Sequence, residues 1–303
     1  MYARVLLTLD GTPLAEQALV YAVSIARRAG ASLHIATVKQ FPSSLLPELP
    51  VQASVGEVEV DYLDEVATRV RDAGVSDVSV RVLEGLDVAA TLLAHRKEVD
   101  AGLTVMSTHG RGPVRRAWMG SVADRYVRAS RAPVFVVRAV EDQEPEKDLS
   151  VDVSFSRVLV PLDGSAESEA ALEPATQLGR LSDAAYVLLR LSLAPHALGS
   201  PWLPAAVEAT EEEIESARVE AESELEGAAG QLRGMGFEVE VISSFVEHIA
   251  QGILEWVEDT GADVIVMATH GRGGVRRLAL GSVTDKVVRA AACPVLVVPP
   301  AIE

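Results

Sequence analysis

The sequence predicts an α/β chain made of two tandem, doubly wound parallel sheets. Three observations predict it. Short β-branched runs alternate with longer helical patterns, and the whole alternation occurs twice in 303 residues. Runs such as VLLTL, VLVPL and VIVMA are apolar throughout, the pattern of parallel strands covered on both faces by helices. Residues 107–138 and 268–299 are identical at 19 of 32 positions without a gap. A match at a fixed offset marks an internal duplication, and this unit is too long for a solenoid repeat. The length suits about two domains, each large enough to bury a core of its own.

The first strand, residues 4–9 (RVLLTL), is closed by the turn signal Asp10-Gly11-Thr12. A helical pattern over 14–29 follows, then a strand at 32–38, a helix at about 51–73 and a strand at 78–83. A helix at 88–97, a strand at 101–106, a helix at 121–130 and a strand at 134–137 complete the first copy. The second copy places strands at 158–162, 186–191, 238–242, 263–267 and 295–298. Between its second and third strands, residues 208–226 are strongly acidic, with Ile214, Ala217, Ala221, Leu225, Ala228 and Leu232 at helical spacing. That pattern predicts an amphipathic helix with a solvated acidic face.

Residues 139–156 (AVEDQEPEKDLSVDVSFS) are polar, acidic and without apolar periodicity, and read as a linker. The expected organisation is a first domain at 1–140, a linker at 141–156 and a second domain at 157–303. Asp10 and Asp163 are offset by 153 residues, Gly110 and Gly271 by 161, so the second copy carries eight extra residues between these points. Proline-rich stretches at 41–50 and 195–204 follow the second strand of each copy. Their Leu45, Leu46, Trp202 and Leu203 either cap a pocket edge, contact a partner, or tuck onto the domain surface.

Composition excludes several functions. A net charge of −17 does not supply the clustered Lys and Arg that nucleic acid requires. No apolar run approaches the roughly 18–20 residues of a membrane span. The single cysteine, Cys293, cannot form an intrachain disulfide, and the N-terminus enters a strand pattern directly. A cytoplasmic protein without a membrane partner is the expectation. His34, His95, His196 and His248 are scattered and suggest no metal site.

In each copy the fourth strand is followed by His-Gly-Arg-Gly, a basic pair, and Gly-Ser opening a helix. Gly110 and Gly120, like Gly271 and Gly281, are separated by nine residues. Glycine lets backbone N–H groups approach a ligand closely. Gly120-Ser121 and Gly281-Ser282 stand at a helix N-terminus, which favours anions. The Ser121 and Ser282 hydroxyls either cap that helix or donate to a phosphate. Asp10 and Asp163 end the first strands. With strand order 3-2-1-4-5 they face Gly110 and Gly271 at the switch point. There a carboxylate suits ribose hydroxyls or a magnesium ion carried with phosphates, although Asp-Gly-Thr and Asp-Gly-Ser are also ordinary turn chemistry. Arg111, Arg115, Arg116, Arg272, Arg276 and Arg277 form the basic concentration; most of them read as solvated helix flanks, with one per site expected to reach a phosphate. His109 and His270 have no catalytic group spaced to partner them.

This combination resembles the universal stress protein family in its tandem two-domain form, over essentially the whole chain apart from the linker and termini. Nucleotide-binding members carry Gly, two residues, Gly, nine residues, then Gly with Ser or Thr. Here the pattern falls on Ser107, Gly110, Gly120 and Ser121, and on Ala268, Gly271, Gly281 and Ser282. The first glycine is replaced in both copies by a small residue, which would be strained at a positive φ. The resemblance implies a Rossmann-like, adenine nucleotide alpha hydrolase-like fold of five parallel strands. It further implies that PVFVV and PVLVV meet across an internal pseudo-twofold, as in a family dimer, with further homodimerisation left open. It implies ATP with magnesium as cofactor. Asp10 and Asp163 would then hold the ribose, and Val38, Leu191, Met106 and Met267 would lie against adenine. Val122, Val283 and Thr284 would add backbone contacts.

The expected function is an ATP-binding, nucleotide-responsive stress protein. The alternatives are a slow ATPase of the same fold and a stress scaffold without nucleotide. No adenylation signature and no P-loop is present, and no base or nucleophile is placed for water attack, so no catalytic residue is expected.

Overall fold

A computed structural model describes residues 2–39, 55–108, 119–141, 143–193, 210–269 and 280–300. The chain divides into two compact units, Met1–Ser154 and Phe155–Glu303. In the first, β1 (Arg4–Thr8), α1 (Pro13–Glu16), α2 (Leu19–Ala29), β2 (Ser32–Lys39), α3 (Val55–Asp72), β3 (Val78–Glu84), α4 (Val88–Glu98), β4 (Leu103–Ser107), α5 (Ser121–Ala129) and β5 (Val134–Val137) follow one another. The second contains β6 (Arg157–Pro161), α6 (Ala166–Glu169), α7 (Leu172–Gly179), β7 (Ala185–Leu193), α8 (Glu211–Gly234), β8 (Val239–Val246), α9 (Ile249–Thr260), β9 (Val264–Ala268), α10 (Ser282–Ala290) and β10 (Val295–Val298).

Within the first unit the strands run in the order β3-β2-β1-β4-β5, every pair parallel. The second repeats this as β8-β7-β6-β9-β10. Strand order therefore reverses between β1 and β4, and between β6 and β9, which opens a crevice beyond their carboxyl ends. The central strands are buried on both faces: Val5, Leu6 and Leu7, like Val158, Leu159 and Val160, are wholly inaccessible. Each such side chain contributes about 1.5–3 kcal/mol of burial.

Four elements differ from the sequence reading. The single helix expected over 14–29 is split into α1 and α2, with Gln17 and Ala18 in the turn between. The second copy is broken at the same place, between α6 and α7, with Ala170 and Ala171 in the turn. In the first copy the Gln17 amide donates to Val140 O at 2.8 Å and Gln143 O at 2.6 Å, and its oxygen accepts from Val140 N–H at 2.9 Å. That same network ties down the stretch read as a linker. Farther along it, Ser24 Oγ accepts from Val153 N–H at 2.9 Å, Asp152 bridges Arg27 and Arg28, and Leu149 is buried. Next, β8 is longer than expected because its ladder with β7 continues through Ser243 and Ser244 to Val246, beyond the apolar run. Finally, α8 buries Ala221, Leu225, Ala228 and Leu232 as its spacing requires, whereas Ala217 is exposed.

Buried phenols make this fold sensitive to alkali. Tyr126, fully buried with its hydroxyl 2.8 Å from Thr104 Oγ1, has its pKa pushed by burial up to about 12. Burial also raises Tyr186, and lifts the Cys293 thiol to about 11. These groups ionise more readily unfolded than folded, so the unfolded chain releases its protons first as pH rises. Stability is expected to hold below about pH 9 and to decline above it. Thermal melts from pH 7 to 11 would check this, with Tyr126→Phe showing the shallower decline above pH 10.

Candidate functional site

Parallel register brings the ends of β1 and β4 to one level. Leu7 is paired with Val105, so Asp10 and Thr108, each three residues on, leave the sheet side by side. Leu159 is paired with Ile265, which does the same for Asp163 and Thr269.

At the first of these exits the aspartates build a turn. Asp10 Oδ1 accepts from Thr12 N–H at 3.1 Å and from Thr12 Oγ1 at 2.7 Å. Thr12 in turn caps α1 by accepting from Ala15 N–H at 3.2 Å, with Pro13 in the first helical turn. Between them Gly11 has φ of 79°, a conformation that favours glycine. The second copy is the same: Asp163 Oδ1 accepts from Ser165 N–H and Oγ at 3.0 and 2.5 Å, Gly164 has φ of 77°, and Ser165 caps α6. One oxygen of each aspartate thus does turn chemistry, and both side chains sit half-buried at the crevice.

The second exit closes a loop on itself. Gly120 N–H donates to Thr108 O at 2.6 Å, and Gly281 N–H to Thr269 O at 2.8 Å. Each glycine is the N-cap of its helix, with φ, ψ of −60°, 146° and −56°, 145°. Neither helix has a side-chain cap, and Ser121 and Ser282, at the first helical position, are exposed. Capping is therefore not what these serines do. A helix end without a side-chain cap presents its first N–H groups and the positive end of its dipole outward.

Ser107 and Ala268, at the first glycine of the family pattern, are the last residues of β4 and β9 and have no positive φ. A side chain there is unstrained. Met106 and Met267 are buried beside them, at 3% and 5% exposure. Val38 and Leu191 are half-buried near the ends of β2 and β7. Val122 and Val283 stand in the first turns of α5 and α10. Thr284 stands in that turn of α10 as well, and its hydroxyl donates to Ala268 O at 2.9 Å. Gly110 and Gly271 lie outside the described residues, as do His109, His270, the six loop arginines and the proline-rich stretches at 41–50 and 195–204.

In the second unit a cleft of about 840 Å³ opens at this edge. Ser282 and Val283 form part of its wall, joined by Leu193, His248, Gln251 and Lys286. Sequence reasoning missed these last four. Only the packing of α9 on α10 brings the start of one helix beside the start of the other. Among the described residues, no group of three His, Cys, Asp or Glu is placed to hold a metal, and no helix is long and apolar enough to cross a membrane.

Comparison with known proteins gives a consistent result. Residues 1–138 and 154–299 each match the universal stress protein family. A universal stress protein of Methanocaldococcus jannaschii is 30% identical over 159 residues, 49% of this chain and 97% of that protein. A crystal structure of a universal stress protein from Archaeoglobus fulgidus covers 98% of this chain and 96% of its own, with a TM-score of 0.70. At 19% identity that likeness bears on the fold. A universal stress protein crystallised in complex with cAMP is 27% identical, covering 46% of this chain and 98% of its own, with a TM-score of 0.36.

Proposed function

Because this chain belongs to the universal stress protein family, through two tandem domains of that type, we propose that it is a cytoplasmic, nucleotide-responsive stress protein. Each half, 1–140 and 157–303, holds ATP with its magnesium ion at the crevice between the first and fourth strands. Nucleotide occupancy then alters how the chain engages its partners, with at most slow hydrolysis. The observation that carries this reading is the duplicated construction at the crevice. Twice, an aspartate leaves the sheet in register with a strand end that is bonded back to the glycine opening a helix without a side-chain cap. Such a helix end receives phosphate, and the adjacent carboxylate receives the hydroxyls of a ribose. The single cysteine suits a reducing compartment.

Calorimetric titration of the nucleotide-stripped chain with magnesium ATP tests the reading. About two equivalents per chain would support it, and no heat together with no thermal stabilisation would favour the scaffold. Asp10→Asn separates the two roles of the aspartate. An amide oxygen still accepts the Thr12 bonds, so the melting temperature is expected to stay within a few degrees. Loss of a charged acceptor is expected to weaken one ATP site about tenfold or more. An unchanged affinity would reduce Asp10 to a turn residue.

A further inference from the structure

The two halves differ beside the crevice at a pair of matched positions. The helices α4 and α9 begin at Val88 and Ile249, and α5 and α10 at Ser121 and Ser282, both offset by 161 residues. The same offset matches Asp87 with His248 and Arg125 with Lys286. In the first half these residues are occupied with each other. Asp87 Oδ1 accepts from Ala90 N–H at 3.2 Å and caps α4, while Arg125 donates to Asp87 Oδ2 at 2.9 Å. The Ala90 amide and the Arg125 guanidinium hold the Asp87 carboxyl below its usual range. The cation of the first half therefore already has its anion.

In the second half the carboxylate is gone from that position. His248 stands there without capping α9, and Lys286 makes no ion pair among the described residues. Both line the cleft of about 840 Å³ whose wall includes Ser282, one helical turn before Lys286. Side chains on a helix lean toward its N-terminus, which carries the Lys286 ammonium toward the Ser282 end. Glu247 also lines the cleft, where the first half has Leu86, and it forms no ion pair with Lys286.

We infer that Lys286 makes the second half the stronger site for a polyphosphate, the anionic portion of a nucleoside triphosphate, while the Asp87–Arg125 pair leaves the first half weaker. This rests on the crevice being a nucleotide site, and it adds which half is preferred and by what residue. A lysine is a point charge on a flexible stem, suited to phosphate without fixed geometry.

The full chain would be titrated by calorimetry with magnesium ATP and, separately, with inorganic tripolyphosphate. Lys286→Gln is expected to weaken the tighter ATP class and tripolyphosphate binding about tenfold, and Lys286→Arg to restore most of both. Arg125→Gln is expected to change each by less than about twofold. ATP binding at two equal classes insensitive to Lys286→Gln would overturn the inference and leave the nucleotide reading standing. Tripolyphosphate binding that depends on Lys286, without ATP binding, would remove the nucleotide reading and with it the inference built on it. Absence of both would end both. Lys286 is exposed, and matching melting temperatures would confirm that Lys286→Gln folds.

Discussion

Replacing Gly120 and Gly281 together by aspartate is expected to abolish measurable ATP binding without lowering the melting temperature. The two outcomes separate because the glycines are N-caps with extended backbone rather than residues in a positive-φ turn. Aspartate accepts that backbone readily and is among the best N-caps, within a few tenths of a kcal/mol of glycine or better. Its carboxylate would take the amides of the first helical turn that we assign to phosphate. It would also stand a few ångströms from the ligand's own charge. At an effective dielectric near 20, one such repulsion costs about 4 kcal/mol at 4 Å, so each site should lose at least about a hundredfold in affinity. Calorimetry and a thermal melt on the same sample would check both halves of the expectation. Retained ATP binding with a normal melt would place the ligand elsewhere.

The largest loss of stability is expected from the smallest side chain that can be added, at Gly179→Ala. Gly179 ends α7 against β7, and a Cβ there would lie 1.9 Å from Tyr186 Oη and 2.7 Å from its Cζ. Tyr186 has no room to retreat. It is 1% exposed, its hydroxyl donates to Ala175 O at 3.1 Å, and its ring meets Phe237 edge-on at 5.0 Å. Overpacking of this kind costs about 1–3 kcal/mol, and a contact this short on a fixed aromatic belongs at the upper end. The first half shows the cure. At the equivalent positions, 153 residues earlier, it has Ala26 and Leu33, both buried. Gly179→Ala combined with Tyr186→Leu should therefore recover much of the loss that Gly179→Ala causes alone. Urea denaturation of the two single variants and the double variant would measure the coupling.

The comparison of Gly179 with Ala26 shows where sequence reading stops. That residue 179 is glycine was legible; that it must be glycine was not, because the reason is a tyrosine seven residues on, brought back across the turn into β7. The aspartates were read with both of their roles open, and the geometry exhibits the turn in each copy. The serines after the glycines were read as caps or phosphate donors. The glycines themselves turned out to hold the cap position, a one-residue matter that depends on where the chain bends back to Thr108 and Thr269. Lys286 and His248 carried no signal of their own. One is a lysine on a helix with an acidic neighbour, the other a lone histidine, and nothing in their spacing relates them.

The sequence by itself determined the α/β class, the duplication and the strand ends where a site is built. These follow from local periodicity and from identity at a fixed offset, which every residue in a run reports together. Tertiary structure alone decided that Gln17 and α2 between them hold Val140, Gln143, Asp152 and Val153. It also decided that α9 and α10 open onto one cleft, and that, among the described residues, Arg125 has an anionic partner while Lys286 has none. Each of these depends on groups distant in the chain meeting at hydrogen-bonding range, and no local pattern encodes that distance. It is set by how helices of particular length pack across a sheet whose strands are already in register.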